Sequence, residues 1–165
     1  MVDSRSSQPP TPAGVPSAHQ DTFARDLLPP PELQPVFDFT GVPELAAYGN
    51  YQNAATELLD KMVAGGFSDR PVLHYEDKSW TYSELLTLSN RIARVLVEDC
   101  GMVTGARVLL RAANTPMLVA CWFAVLKAGG ICVTTMPLLR ARELKYLIDR
   151  AGVTIALSDV ELTDE

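Results

Sequence analysis

Histidine and cysteine are scarce in this sequence, with two of the first and three of the second among 165 residues. His19 and His74 stand far apart, so no cluster has the ligand spacing of a metal centre. No serine or cysteine is accompanied by a histidine motif, and no GxSxG nucleophile elbow occurs, which leaves no assembled catalytic triad. His74 falls within a short strand and reads as a half-exposed strand residue. Cys100, Cys121 and Cys132 are odd in number, lack CxxC spacing and sit in apolar runs, so they read as reduced, buried thiols of a cytoplasmic protein. Basic residues are also few: 14 Lys and Arg against 20 Asp and Glu give a net charge of −6. A chain of that sign is not built to coat nucleic-acid phosphates. The N-terminus has no apolar core of a secretory signal. The longest apolar run, Met117 to Leu126, falls short of the roughly 20 residues a bilayer span needs, and reads as a buried helix. Glycine-rich phosphate cradles are missing too: neither GxGxxG nor GxxxxGK[ST] is present. Reductases and methyltransferases of the doubly wound class need a glycine-rich first turn, so they are disfavoured. The two adjacent glycine pairs, Gly65-Gly66 and Gly129-Gly130, both stand where a helix ends.

Proline, by contrast, is concentrated. Nine of the twelve prolines lie between Pro9 and Pro43, where they prevent any sustained helical or strand period. Residues 1–20 are expected to be a disordered Pro-rich tail. Residues 21–49, with Phe23, Leu27, Leu28, Val36, Phe37 and Phe39 as apolar anchors, are expected to form an extended arm over a folded body. Residues 50–165 form that body, and the length allows one domain.

Within the body, Ala54, Leu58, Leu59, Met62 and Val63 share one helical face, with Asn53 as N-cap and Gly65 as the stop. A short hairpin follows, Val72 to Tyr75 and Ser79 to Thr81, turning at Glu76, Asp77 and Lys78. Thr81-Tyr82-Ser83-Glu84 has the form of a capping box. It opens a helix whose buried stripe is Leu85, Leu88, Ile92, Val95 and Leu96, with Arg91, Arg94 and Glu98 in solvent and Gly101 at the end. Three runs, Arg107 to Arg111, Ile131 to Thr135 and Val153 to Leu157, are apolar on both alternating faces, as buried parallel strands are. Thr115 and Pro116 open the helix between the first two, and Gly129 and Gly130 close it. Leu144, Leu147, Ile148 and Ala151 mark the helix between the second pair, which ends at Gly152.

The fold class predicted is therefore α/β: a partial doubly wound parallel sheet, βαβαβ, preceded by a helix and a short hairpin. Three strands alone leave apolar edges uncovered, so the sheet is expected to be incomplete. Arg140, Arg142, Lys145 and Arg150, interleaved with Glu143 and Asp149, read as a solvated helix face. A second reading has Arg140 and Arg142 holding an anionic ligand end at the carboxyl edge of the sheet.

Two stretches carry a family resemblance. Trp80-Thr81-Tyr82-Ser83-Glu84-Leu85, followed by Leu88-Ser89-Asn90-Arg91-Ile92-Ala93, is similar to the first core motif of the adenylate-forming (AMP-binding) superfamily. That superfamily includes acyl–CoA synthetases, luciferases and nonribosomal peptide adenylation domains. Leu126-Lys127-Ala128-Gly129-Gly130-Ile131-Cys132-Val133, completed by Met136-Pro137-Leu138, is similar to the second. Between them Gly105-Ala106-Arg107-Val108 resembles the family's GDRV segment, with Ala106 in place of the usual acidic residue. The resemblance runs from about Asn50 to Ser158. The arm Pro35 to Tyr51, the segment Asn50-Tyr51-Gln52-Asn53-Ala54 and Pro71-Val72-Leu73 look most like benzoate– or 2-aminobenzoate–CoA ligases.

The resemblance implies an N-terminal portion of an acid–CoA ligase. Such an enzyme joins a carboxylic acid to AMP with release of pyrophosphate and passes the acyl group to CoA, using ATP and Mg. The family's phosphate loop, acid pocket and catalytic lysine lie downstream of these motifs, so no catalytic or metal-binding residue is expected here. No ATP, Mg or CoA is expected to be bound by this stretch alone, and the acid substrate would be held by the downstream part. A dimer of the longer protein is compatible with the family. By position, Met136, Pro137 and Leu138 resemble a loop bordering the CoA channel and are the candidate ligand contacts. The rival reading is a non-catalytic α/β binding or scaffolding module.

Overall fold

The computed structural model describes residues 18–35, 41–42, 44–45 and 51–164. Val36, Phe37 and Phe39 of the expected arm, and residues 1–17 of the expected tail, lie outside the described residues. Asn53 caps the first helical stretch, 54–67: its side-chain oxygen accepts from the Ala55 N–H at 2.9 Å. Its amide donates to the Leu126 carbonyl at 2.6 Å, so one residue both starts this helix and ties it to the end of another. The stretch passes through two widened, π-type turns, Thr56–Asp60 and Val63–Phe67, and continues past Gly65, kinking at Gly66.

The antiparallel hairpin is β1 (Pro71–Tyr75) and β2 (Lys78–Thr81). Helix α2 (Tyr82–Arg94) then starts on the expected capping box, with Thr81 Oγ1 accepting from the Glu84 N–H and Glu84 accepting from the Thr81 N–H. Its seam is Leu85, Ser89, Ile92 and Leu96, a step-4, step-3, step-4 run along the helix. Val95 was expected in the stripe but is 48% exposed; next to the seam residue Leu96, it lies about 100° round the helix from it, and Ser89 takes the buried place. Ser89 is fully buried, and among the described residues its Oγ has no hydrogen-bond partner.

Strands β3 (Arg107–Arg111), β4 (Ile131–Thr135) and β5 (Ile155–Ser158) form one parallel sheet in the order β4-β3-β5. Helix α3 (Pro116–Lys127) joins β3 to β4, and α4 (Ala141–Ala151) joins β4 to β5. Strand β5 starts two residues later than expected. The Val153 N–H closes α4 on the Ile148 carbonyl at 3.0 Å, so it is not free for the ladder.

β3 is the buried centre, and its alternation divides the domain. Val108 and Leu110 join Leu96, Ala124 and Val125 in a core with α2 and α3, whereas Leu109 and Arg111 face Leu144 and Ile148 of α4. A second core under the hairpin gathers Leu59, Leu85 and Ala120. α2 and α3 join both cores, and their close approach explains why the small residues Ser89, Ala120 and Ala124 lie between them.

The glycine pair 129–130 stops α3 as expected, with φ of +77° at Gly129, where a Cβ would stand 2.8 Å from Thr104 Cγ2. Lys127 of the same motif pairs with Asp60 at 2.5 Å. This stretch is therefore a structural joint rather than a ligand cradle.

Residues 18–20, expected in the disordered tail, lie against Thr104. The Gln20 and Asp21 N–H groups donate to its carbonyl at 3.0 and 2.9 Å. The arm is held further by Asp21, whose carboxylate lies 2.5 Å from Arg107 Nη1, and by Phe23, stacked 4.5 Å from the guanidinium. A Cβ at Gly105, whose φ is +87°, would collide with the Asp21 carbonyl, so the arm needs glycine there. Leu27 and Leu28, expected as anchors, are 67% and 56% exposed; α1 (Phe23–Asp26) is a single turn and turns them outward.

Two outcomes follow for stability. The hydrogen bond from Arg107, and then that from the Phe23 N–H, hold the Asp21 carboxyl below its ordinary value. Its contribution is therefore present in full above the unfolded pKa of about 4 and is lost as pH falls through the depressed folded value. Asp21→Asn should lower the melting temperature at pH 7 and flatten the acid limb of a melting-temperature profile between about pH 5 and 3. Ser89→Ala removes a buried hydroxyl that has no partner and should raise stability by about 1 kcal/mol in urea unfolding.

Candidate functional site

The strand order decides where a ligand fits. The chain leaves β3 toward α3 on one face and leaves the neighbouring β4 toward α4 on the other. The two loops therefore diverge at the carboxyl edge, and parallel α/β sheets open a crevice at such a switch point. A cleft of about 550 Å³ lies there. One wall is Ala112–Asn114 with Leu118, from the end of β3 and the start of α3, and the other is Thr134–Pro137, from the end of β4. Thr115 sets the first wall, because its Oγ1 accepts from the Leu118 N–H at 3.2 Å and Pro116 occupies the first turn.

Met136 and Pro137, two of the three candidate ligand contacts, line this cleft. Leu138 does not; it stands at the tip of the following turn, 78% exposed. Arg140 and Arg142, weighed as anion holders, are not in its walls. Arg140 instead caps α4, its N–H donating to the Glu143 carboxylate at 3.2 Å. Lys145 pairs with Asp149 at 2.7 Å in an exposed ion pair. The solvated-face reading of this helix holds for that pair.

The cleft walls contain no Asp, Glu, His, Lys or Cys. They offer an amide, two threonine hydroxyls and apolar surface, which suits binding and orientation rather than proton transfer. Among the described residues no group of three or more His, Cys, Asp or Glu could hold a metal ion, and no helix is long and apolar enough to cross a membrane.

Sequence reasoning missed Arg111. It closes β3 and is 3% exposed, with Nη2 donating to the Pro137 and Leu139 carbonyls at 3.1 and 2.8 Å and Nη1 donating to the Leu162 carbonyl. Its signal was present: a charged residue ending a strand whose three central residues are apolar. A neighbouring cleft of about 470 Å³ between the sheet and α4 has Arg111 in its wall. His74 makes a hairpin contact, its Nδ1 lying 2.9 Å from Ser79 Oγ across the two strands, and it is exposed rather than half-exposed.

The thiols differ from one another. Cys100, expected to be buried, is exposed because it sits at the end of the widened turn Val95–Asp99 that closes α2. Cys121 and Cys132 are half-buried. Burial, with Cys121 nearby, pushes the Cys132 thiol up to about 12, and burial also raises Cys121. A disulfide reagent at pH 8 should therefore modify Cys100 quickly and the other two much more slowly, which counting released thiolate against time will show.

Residues 61–165 match the model of a family described as "AMP-binding enzyme". The chain is 35% identical over 89 residues to surfactin synthase subunit 2 of Bacillus subtilis, covering 54% of this chain and 2% of that protein. It is 28% identical over 109 residues to the 3-hydroxybenzoate–CoA ligase of Aromatoleum sp., covering 66% of this chain and 21% of the relative. In architecture it is similar to the N-terminal subdomain of NpsA from Klebsiella oxytoca. That match has a TM-score of 0.59 at 25% identity and covers 66% of this chain and 28% of the other. The chain thus spans about a fifth or less of the length of these curated relatives.

Proposed function

We propose that this chain, which belongs to the AMP-binding enzyme family, is the N-terminal part of an acid–CoA ligase. That ligase activates a carboxylic acid as its acyl-AMP with ATP and passes the acyl group to the CoA thiol. The observation that carries the reading is the match over residues 61–165, which spans the parallel sheet and its switch-point cleft. An aromatic acid is favoured by the similarity to a 3-hydroxybenzoate–CoA ligase over two thirds of the chain.

The residues of this stretch do not fit ATP and Mg. Its 165 residues contain no glycine-rich cradle of backbone N–H groups for a triphosphate, and the cleft walls bring no carboxylate that would face a metal ion. No step of phosphoryl chemistry runs through these side chains, and the chain by itself is inactive in adenylation. What it contributes is a scaffold and one wall of a binding cleft. The cleft suits the CoA pantetheine arm, a narrow, largely apolar chain with two amides. Met136 and Pro137 would meet its apolar part, with Leu138 at the exposed rim outside the walls, and Asn114, Thr134 and Thr135 supply donors and acceptors for the amides. Mg and the triphosphate belong to segments beyond these motifs.

The second reading is a non-catalytic α/β binding or scaffolding module. The absence of any ionisable group from the cleft walls favours it. Pyrophosphate release separates the two readings. It is measured with ATP, Mg and benzoate or 2-aminobenzoate, on this chain and on a version extended along its source DNA to the next stop codon. Release by the extended version alone is the expected result. Release by the 165-residue chain overturns the account of the missing phosphate cradle. Release by the extended version with non-aromatic acids only removes the aromatic assignment, and no release with any acid favours the scaffold.

A further inference from the structure

We propose that Arg111 is a positioning residue that holds the turn Met136–Leu139 rigid, so that Met136 and Leu138 are presented as a fixed apolar rim to the thiol ligand. The proposal rests on the reading that this turn contacts CoA. Its own basis is geometric. Met136 to Leu139 close a four-residue turn, with the Leu139 N–H donating to the Met136 carbonyl at 3.2 Å. Such a turn at a sheet edge would ordinarily be mobile, since its carbonyls can bond water equally well in many conformations. Here the carbonyls on either side of Leu138, those of Pro137 and Leu139, both accept from the same nitrogen of Arg111. The guanidinium is planar and buried, so the two carbonyls are held toward one point. Leu138 between them is forced outward, and Met136 and Leu138 end 64% and 78% exposed.

A guanidinium is an expensive group to bury for the sake of a loop. Arg111 has no carboxylate within ion-pair distance among the described residues. Its charge is met by three backbone carbonyls, and among the described residues its Nε has no partner. At the other end of the same strand, Arg107 has both carbonyl partners and a carboxylate, Asp21. An apolar side chain at position 111 would match its neighbours Leu109 and Leu144 and avoid the desolvation cost. What arginine adds is a link between strand β3, the turn before α4 and the Leu162 carbonyl of the short 3-10 turn Val160–Leu162. That link is specific to the conformation of the turn, and the turn carries one wall of the cleft.

The test uses Arg111→Lys and Arg111→Met, with Leu138→Ala as a control at an exposed position. In the 165-residue chain, methyl NMR relaxation of Met136 and Leu138 reads the order of the turn. In the extended version, the CoA KM of thioester formation is compared with ATP–pyrophosphate exchange run without thiol. The expected result is a loosened turn in both Arg111 variants, and a CoA KM raised roughly tenfold with the exchange rate changed less than twofold. A turn that keeps its order in both variants overturns the proposal whatever CoA does. A loosened turn with unchanged CoA KM overturns it as well, and Leu138→Ala then separates the causes. If that variant raises the KM, the CoA reading stands and only the role of Arg111 falls; if it does not, the CoA reading falls with it. Loss of cooperative melting in both Arg111 variants makes the residue part of the fold rather than of the turn, which also overturns the proposal.

Discussion

The structure depends on the two arginines that bracket strand β3. The sequence Arg107-Val108-Leu109-Leu110-Arg111 places three apolar residues between two buried guanidinium groups, and every one of the five is buried. A guanidinium has five donors in a fixed plane, so burying one requires that several acceptors converge on it. Apart from the Gly105 carbonyl on Arg107, the converging acceptors here come from segments distant in sequence. Arg107 gathers Asp21 of the arm and the Ala151 and Gly152 carbonyls at the end of α4. Arg111 gathers the carbonyls of the turn before α4 and of the 3-10 turn after β5. Both ends of α4 are therefore fixed to the ends of the central strand.

Between those anchors the apolar residues do the ordinary work. Val108 and Leu110 pack on α2 and α3, and Leu109 packs toward α4. Removing this surface from water supplies the non-directional drive to collapse, and the arginines decide which loops sit where once it has collapsed. The division of labour matters for the switch-point cleft because that cleft is made largely from loops. A hydrophobic core holds helices and strands in place but leaves the backbone polar groups of a turn such as 136–139 to find partners by other means.

The switch-point geometry also explains why the family's second motif is spread as it is. Its Lys-Ala-Gly-Gly portion stops α3 and ties that helix to the stretch 54–67 through Lys127 and Asp60. Its Met-Pro-Leu portion, at the opposite end of β4, forms cleft wall and turn tip. One motif thus holds a structural joint at the amino end of a strand and a cleft-lining segment at its carboxyl end, separated by the five residues of β4.

Local chemistry alone determined much of this protein. The Asn53 and Thr81 caps, the Pro116 helix start, the Gly129 and Gly152 stops and the βαβαβ order all follow from side chains acting on backbone within a few residues, so they are legible before any folding is considered. The family motifs were legible for the same reason. Tertiary structure decided the rest. Whether Val95 or Ser89 faced the core depended on which part of α2 met α3, and periodicity admits a stripe wider than the actual contact. The placing of residues 18–20 against Thr104 depended on an acceptor more than eighty residues away. Arg111 was invisible as a clamp because its partners at 137, 139 and 162 share no sequence signal with it. They are backbone carbonyls, which every residue possesses, and only the path of the chain brings those three to one buried charge.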